Sequence, residues 1–272
     1  MFLTARSTTV ITALCLSYPA VASVFTNVPE AASFTLVYSL SIPNSATFSS
    51  GVPYSVDNSG AISPGSFDRI AYYLELQSGI GPLEWVYVSV DAFVNNAALI
   101  GVPTSASGEF YQMDLSNMNV DSDVPGIVTG TGLSTGNIEF WPSNYGTSND
   151  VGVPNASSGV YDWGDGGADR SVGYGSMQIA NYGSSQMLFS FNDWNSGTPD
   201  LGIGNQSTGN PDWTFAGNAG SYTVKNLDIL VEATPEPATA LYLGSGLLMA
   251  AFIRGRIRRT PDAAATEHQR KA

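Results

Sequence analysis

Residues 84–93 read Glu-Trp-Val-Tyr-Val-Ser-Val-Asp-Ala-Phe, and their alternation decides the fold class. Trp85, Tyr87 and Ser89 alternate with Val86, Val88 and Val90, so one set of side chains faces each side of an extended chain. β-Branched and aromatic residues dominate, as a pleated, half-buried surface requires. The same period of two recurs at 33–42 (SFTLVYSLSI), 67–77 (FDRIAYYLELQ), 137–141 (NIEFW), 175–181 (GSMQIAN), 186–194 (QMLFSFNDW) and 221–233 (SYTVKNLDILVEA). Turn formers separate these runs, among them Asp57-Asn58-Ser59-Gly60, Gly164-Asp165-Gly166-Gly167 and Ser196-Gly197-Thr198-Pro199. No stretch of about 12 residues between them has helical periodicity.

These runs predict an all-β body: a single antiparallel β-sandwich, jelly-roll-like, of roughly ten or more strands over about 200 residues. Long loops are expected at about 113–136 and 142–173. The 272 residues are 43% hydrophobic, enough for a packed core, and 29 glycines with 15 prolines suit a turn-rich chain.

Charge and cysteine usage exclude several functions. Between Ser23 and Thr234, 20 acidic residues face only Arg69, Arg170 and Lys225, a net −17. So acidic a body repels phosphate backbones, and no nucleic-acid partner is expected. Cys15 is the only cysteine and His268 the only histidine, both near the chain ends. Disulfides, cysteine chemistry, a Ser-His-Asp triad and His- or Cys-ligated zinc are thereby excluded from the body.

The two ends carry signals. Arg6, an apolar run near Val10–Leu16 and then Ala20-Val21-Ala22 before Ser23 form the pattern of a secretory leader, so 1–22 is expected to be removed by signal peptidase. At the other end, Pro235-Glu236-Pro237 precedes an uncharged run at 238–253, and Arg254, Arg256, Arg258 and Arg259 follow at once. As a helix that run measures about 24 Å, short of a hydrocarbon core of about 30 Å. It is expected to act as a marginal transmembrane helix, with the arginines fixing its topology and 260–272 as a cytoplasmic tail.

Pro-Glu-Pro, a short apolar run and an arginine cluster, in that order, resemble the PEP-CTERM sorting signal of exported bacterial proteins. The resemblance covers 234–259 and implies an exosortase partner that recognises Pro235, Glu236 and Pro237. It further implies a passage through the inner membrane as a type I protein, then delivery to the cell surface or an extracellular polysaccharide matrix. Thr234 stands where that family usually has valine. In the body (23–233), FDRIAYYLEL, WVYVSVDAF, IEFWPSNYG, GYGSMQIAN, DLGIGN and DWTFAGNAGSYTVKNLDILV resemble an ancillary module of large secreted sugar-acting bacterial proteins. That second resemblance implies a carbohydrate-associated, non-catalytic β-sandwich and brings no catalytic residues with it.

Three sets of residues are candidates for binding or chemistry. Asp162, Asp165 and Asp169, in a glycine-rich stretch beside Trp163, are read either as turn formers or as oxygen ligands of a structural calcium, and no other cofactor is expected; Asp121 and Asp123 form a thinner set. Trp141 and Trp163, beside amides and carboxylates, are the aromatic platforms expected to stack on sugar rings. Glu75, Glu84, Glu109 and Glu139 are the carboxylates that the alternative reading, a secreted carbohydrate-active hydrolase, would draw on, with Glu75 and Glu84 expected at exposed strand positions.

Overall fold

The computed structural model describes residues 23–44, 51–103, 111–141, 176–184, 186–192, 198–205 and 218–234. The chain divides into two units, Met1–Ala233 and Thr234–Ala272. Within the described residues of the first are twelve strands: β1 Phe34–Ser41, β2 Val56–Asp57, β3 Phe67–Gln77, β4 Leu83–Asp91, β5 Tyr111–Leu115, β6 Met118–Ser122, β7 Gly130–Leu133, β8 Gly136–Trp141, β9 Ser176–Asn181, β10 Gln186–Asn192, β11 Asp200–Asn205 and β12 Val224–Ala233. The only α-helix among them is one turn, α1, Val24–Asn27.

The strands form two open antiparallel sheets, ordered β2-β1-β12-β3-β4-β6-β7 and β11-β10-β9-β8-β5. The all-β reading holds, but the jelly-roll expectation is corrected. A jelly roll divides its eight strands between two Greek keys. Here β8 to β11 form a meander in which every strand pairs with its sequence neighbour. The last strand, β12, inserts between β1 and β3 and completes the larger sheet only when the chain is almost finished. The loop expected at 113–136 is also corrected, because β6 and β7 occupy it. Met118 and Val120 on β6 are buried, yet the flanking Gly126, Gly130 and Gly132 obscure this short hairpin in the sequence.

The expected transmembrane helix is corrected as well. Among the described residues no helix is long and apolar enough to cross a membrane. The run at 238–253, with Pro235-Glu236-Pro237 and Arg254, Arg256, Arg258 and Arg259, lies outside the described residues. A run of about 24 Å already falls short of the hydrocarbon thickness. The inner membrane as a partner and the type I stage thus have no spanning helix among the described residues to rest on, and the tail at 260–272 lies outside the described residues.

The core lies between the sheets. Ile70, Tyr72 and Leu74 of β3 and Val86, Val88 and Val90 of β4 project into it from one side, Ile138, Phe140, Ile179 and Phe189 from the other. Tyr72 meets Phe140 edge-on at 5.2 Å between ring centroids and stacks on Phe189 at 6.0 Å. Its hydroxyl donates to the Ile100 carbonyl at 3.2 Å, so this large side chain is buried without an unsatisfied polar group.

β3 breaks the simple alternation, since every residue from Ile70 to Leu76 is buried. The cause is a second layer. The segment from Ser23 to Ser33, α1 followed by the 3-10 turn Pro29–Ser33, lies across the outer face of the larger sheet. Val24, Val28 and Ala31 pack there on Ala71, Tyr73, Tyr87 and Leu230. Glu75 is only 6% exposed for the same reason, which corrects its expected place at the surface; Glu84 is exposed as expected.

Candidate functional site

The two outer faces of the sandwich differ in chemistry. On the larger sheet, the N-terminal strap described above seals an apolar patch with polar groups at both ends. At one end Ser89 and Asn119 donate to the Glu30 carboxylate at 2.7 and 2.9 Å, and Arg69 donates to the Ser89 hydroxyl at 2.8 Å. Arg69 also pairs with Asp91 at 2.9 Å. At the other end Glu75 accepts from the Ser23 hydroxyl, from the Tyr73 hydroxyl at 3.2 Å and from the Asn226 amide at 2.7 Å. Asn27 donates to the Tyr73 hydroxyl at 2.8 Å. Burial holds Tyr73 well above the ordinary tyrosine range, so it stays protonated and donates.

Asp228 completes this end. It pairs in register with Tyr73, while Asn226 pairs with Glu75, which makes Glu75 and Asp228 diagonal neighbours on one face. Burial pushes the Asp228 carboxyl up to about 6; the Ser39 hydroxyl opposes that shift and the negative charge of Glu75 adds to it.

The outer face of the smaller sheet carries a polar row beside a buried apolar pair, Ala180 and Met187, and the register builds it. Ile138 and Phe140 point into the core, so Asn137 and Glu139 occupy the opposite face of β8. Glu139 pairs with Gln178 of β9, and Gln178 pairs with Ser190 of β10. A carboxylate, an amide and a hydroxyl thus stand in a row across three strands, spaced by about 4.8 Å per strand. All three are buried, Glu139 and Gln178 at 1% exposure. The Gln178 amide donates to Glu139 at 2.7 Å.

Next to this row Asn137 donates to Asp114 at 3.4 Å, a long bond, and its buried carbonyl oxygen finds no hydrogen-bond partner among the described residues. Gln186 and Asn181, also buried, are used structurally. Gln186 bridges Gly126 and Val128, and Asn181 accepts from Thr135 at 2.7 Å. Trp141 ends β8 two residues beyond Glu139 and pairs with Ser176.

Of the residues singled out from sequence, Trp141 is therefore placed on the strand that carries Glu139. Trp163, Asp162, Asp165, Asp169 and Glu109 lie outside the described residues. Asp121 and Asp123 do not converge: Asp121 accepts from its neighbour's amide, Ser122, and Asp123 from the Trp85 amide at 2.7 Å. Among the described residues no group of three or more His, Cys, Asp or Glu is placed to hold a metal ion.

Glu75 and Glu139 sit on opposite outer faces, with both sheets between their carboxylates. Packed sheets are about 10 Å apart, so the pair exceeds the roughly 5–9.5 Å over which two carboxylates share glycoside hydrolysis. Sequence reading missed Gln178, Asn137 and Asp228. The period-two pattern assigns each to the face opposite the core, and it carries no signal that this face is also buried.

No family model, no curated protein and no solved structure matches this chain.

Proposed function

We propose that this is an exported surface or matrix protein, directed by the Pro235-Glu236-Pro237 signal, whose smaller sheet binds polysaccharide without acting on it. The observation that carries the binding reading is the Glu139–Gln178 pair. A buried carboxylate and amide cost desolvation energy that aliphatic side chains at the same two positions would avoid. Beside them the buried Asn137 oxygen has no hydrogen-bond partner among the described residues. At 1% exposure Glu139 and Gln178 act by fixing the end of β8 rather than by meeting a sugar themselves, and Trp141 at that end adds a ring of the kind that stacks on a sugar's apolar face. The acidic body suits a soluble exported protein and favours neutral or cationic glycans over polyanionic ones.

The test is retention of the exported protein on immobilised polysaccharides, including that of the producing cell, compared with Glu139→Gln and Trp141→Ala. Selective retention that both substitutions weaken at least tenfold supports the reading. Equal retention of all three proteins, or none on any polysaccharide, refutes it. Replacing Pro235, Glu236 and Pro237 by alanine tests the sorting signal separately: the protein is then expected to be lost from the surface while still folding.

A further inference from the structure

The paired acids under the N-terminal strap have no counter-ion among the described residues. Glu75 and Asp228 are 6% and 4% exposed, and the three groups that donate to Glu75, from Ser23, Tyr73 and Asn226, are all neutral. Arg69 is engaged with Asp91 at the far end of the strap. Lys225, of opposite parity to Asn226 and Asp228 on β12, donates to the Tyr222 carbonyl at 3.0 Å. Two neighbouring buried carboxylates without a cation are an unfavourable arrangement, and a charge of the opposite sign within about 4–6 Å is what relieves it.

The residue that can bring a cation to them is Ser23, through its backbone nitrogen. The Ser23 hydroxyl already donates to Glu75. Within one serine the nitrogen and the hydroxyl oxygen are three bonds apart, about 3–4 Å, so the nitrogen lies within about 6 Å of the carboxylate. While residues 1–22 remain attached, that nitrogen is a neutral amide. Ala20-Val21-Ala22 directly precedes it, and hydrolysis of the Ala22–Ser23 peptide bond, with water as the co-reactant, leaves a carboxylate on Ala22 and an amine on Ser23. A free α-amine has an ordinary pKa of about 8 and is protonated at neutral pH.

We propose that leader removal creates the missing cation: the α-ammonium of Ser23 binds the Glu75–Asp228 pair and locks the strap onto the larger sheet. Maturation and the final folding step are then one event. In the precursor the strap has its apolar contacts and hydrogen bonds between neutral donors and carboxylates; in the mature chain it is also held by an ion pair. This rests on reading 1–22 as a cleaved leader.

The titratable groups placed with the amine are Tyr73 and Glu75 on β3 and Asp228 on β12, all neutral or negative; Glu30 and Glu232 add negative charge on the strap and on β12, and the cations Arg69 and Lys225 are engaged elsewhere, with Asp91 and with the Tyr222 carbonyl. The negative groups raise the folded amine's pKa above its unfolded value. The contribution to stability is therefore complete below about pH 8 and disappears as pH rises through the folded value.

The experiment uses the chain from Ser23 to Ala272 in three forms: free amine, N-acetylated, and extended by Val21-Ala22. The free-amine form is expected to melt several degrees above the acetylated form at pH 7, with the difference gone by about pH 10. Its amine, followed by isotope-edited NMR, is expected to titrate at least one unit above 8. The extended form carries its amine two residues away and is expected to behave like the acetylated one. In Glu75→Gln/Asp228→Asn the three forms are expected to melt together. Equal melting of free and acetylated wild-type chains at every pH, or an amine titrating at its ordinary value, overturns the lock. Failure of the leader reading shows differently: the mass of the exported protein would then place its first residue elsewhere than Ser23, which overturns the maturation step.

Discussion

The side-chain amide of Gln178 on β9 donates to the Glu139 carboxylate on β8 at 2.7 Å, with both residues almost wholly buried on the face opposite the core. A hydrogen bond of this kind contributes about 0.5–1.5 kcal/mol, and a buried polar group that loses a partner costs about 1–3 kcal/mol. Gln178→Leu is accordingly expected to lower stability by about 2–3 kcal/mol in urea titrations, whereas Glu139→Gln, which keeps a polar acceptor there, is expected to cost under about 1 kcal/mol. The reverse order of effects would show that Gln178 does not stabilise the fold as the donor to Glu139.

The core contact with most to lose is Phe140. It lies edge-on to Tyr72 and is in ring contact with Phe93 and Tyr111 at 6.0 and 6.5 Å. Phe140→Ala leaves a cavity shared by both sheets, and the expected loss is about 3–5 kcal/mol. Chemical denaturation at constant slope checks it; a loss below about 1 kcal/mol would mean that the sheets do not share this contact.

Asp228 makes stability pH-dependent, and the direction follows from its raised pKa. Between the unfolded value near 3.8 and the folded value of about 6, the folded protein binds more protons than the unfolded one. Stability from this group is thus intact below about pH 4 and declines as pH rises through about 6. A difference of one in pKa between the folded and unfolded states is worth about 1.36 kcal/mol. In a chain whose amino terminus is blocked, Asp228→Asn is therefore expected to add about 2–3 kcal/mol at pH 7–8 and close to nothing at pH 4. Urea midpoints at the two pH values separate these outcomes, and an equal gain at both would refute the assignment.

The strap is held by apolar contact as well as by polar groups. Val28 is 1% exposed, against the patch containing Ala71, Tyr73, Tyr87 and Leu230. Val28→Asp places a charge in that patch and is expected to release the strap. The expected signs are increased binding of an apolar dye and cleavage by protease within Ser23–Ser33 while the sheets persist by circular dichroism. Unchanged protease resistance would argue that the strap is held by its polar ends alone.

Gly204 on β11 has φ of +62°, and a Cβ there would lie 2.8 Å from the Ile127 side chain. Both the left-handed backbone and the contact oppose Gly204→Ala, which is expected to cost about 2–3 kcal/mol. A neutral result in thermal melts would mean that the segment carrying Ile127 moves aside at little cost.

The alternating run at 84–93 and its relatives were enough to place most of the strands, because a period of two has one structural meaning when β-branched and aromatic residues supply it. The pattern failed where burial did not follow it. At β6 and β7 the strands are four or five residues long and set among glycines, so the apolar signal is too brief to separate from a loop. At Glu75 the alternation correctly assigned the residue to the outer face, and the strap then buried that face. The same limit applies to Glu139 and Gln178, which were legible as outward-facing positions but not as a buried pair.

The sequence by itself determined the all-β class, the absence of cysteine and histidine chemistry from the body, and the placing of Ala22–Ser23 and Pro235-Glu236-Pro237 at the two ends. These are local properties, written in residue type and spacing. Only the tertiary structure decided the strand order, the position of β12 between β1 and β3, and the meeting of Ser23 with Glu75 across 52 positions of chain. Which outer face is sealed, and which carboxylates become neighbours, depends on contacts between segments far apart in the chain, and no local pattern encodes those.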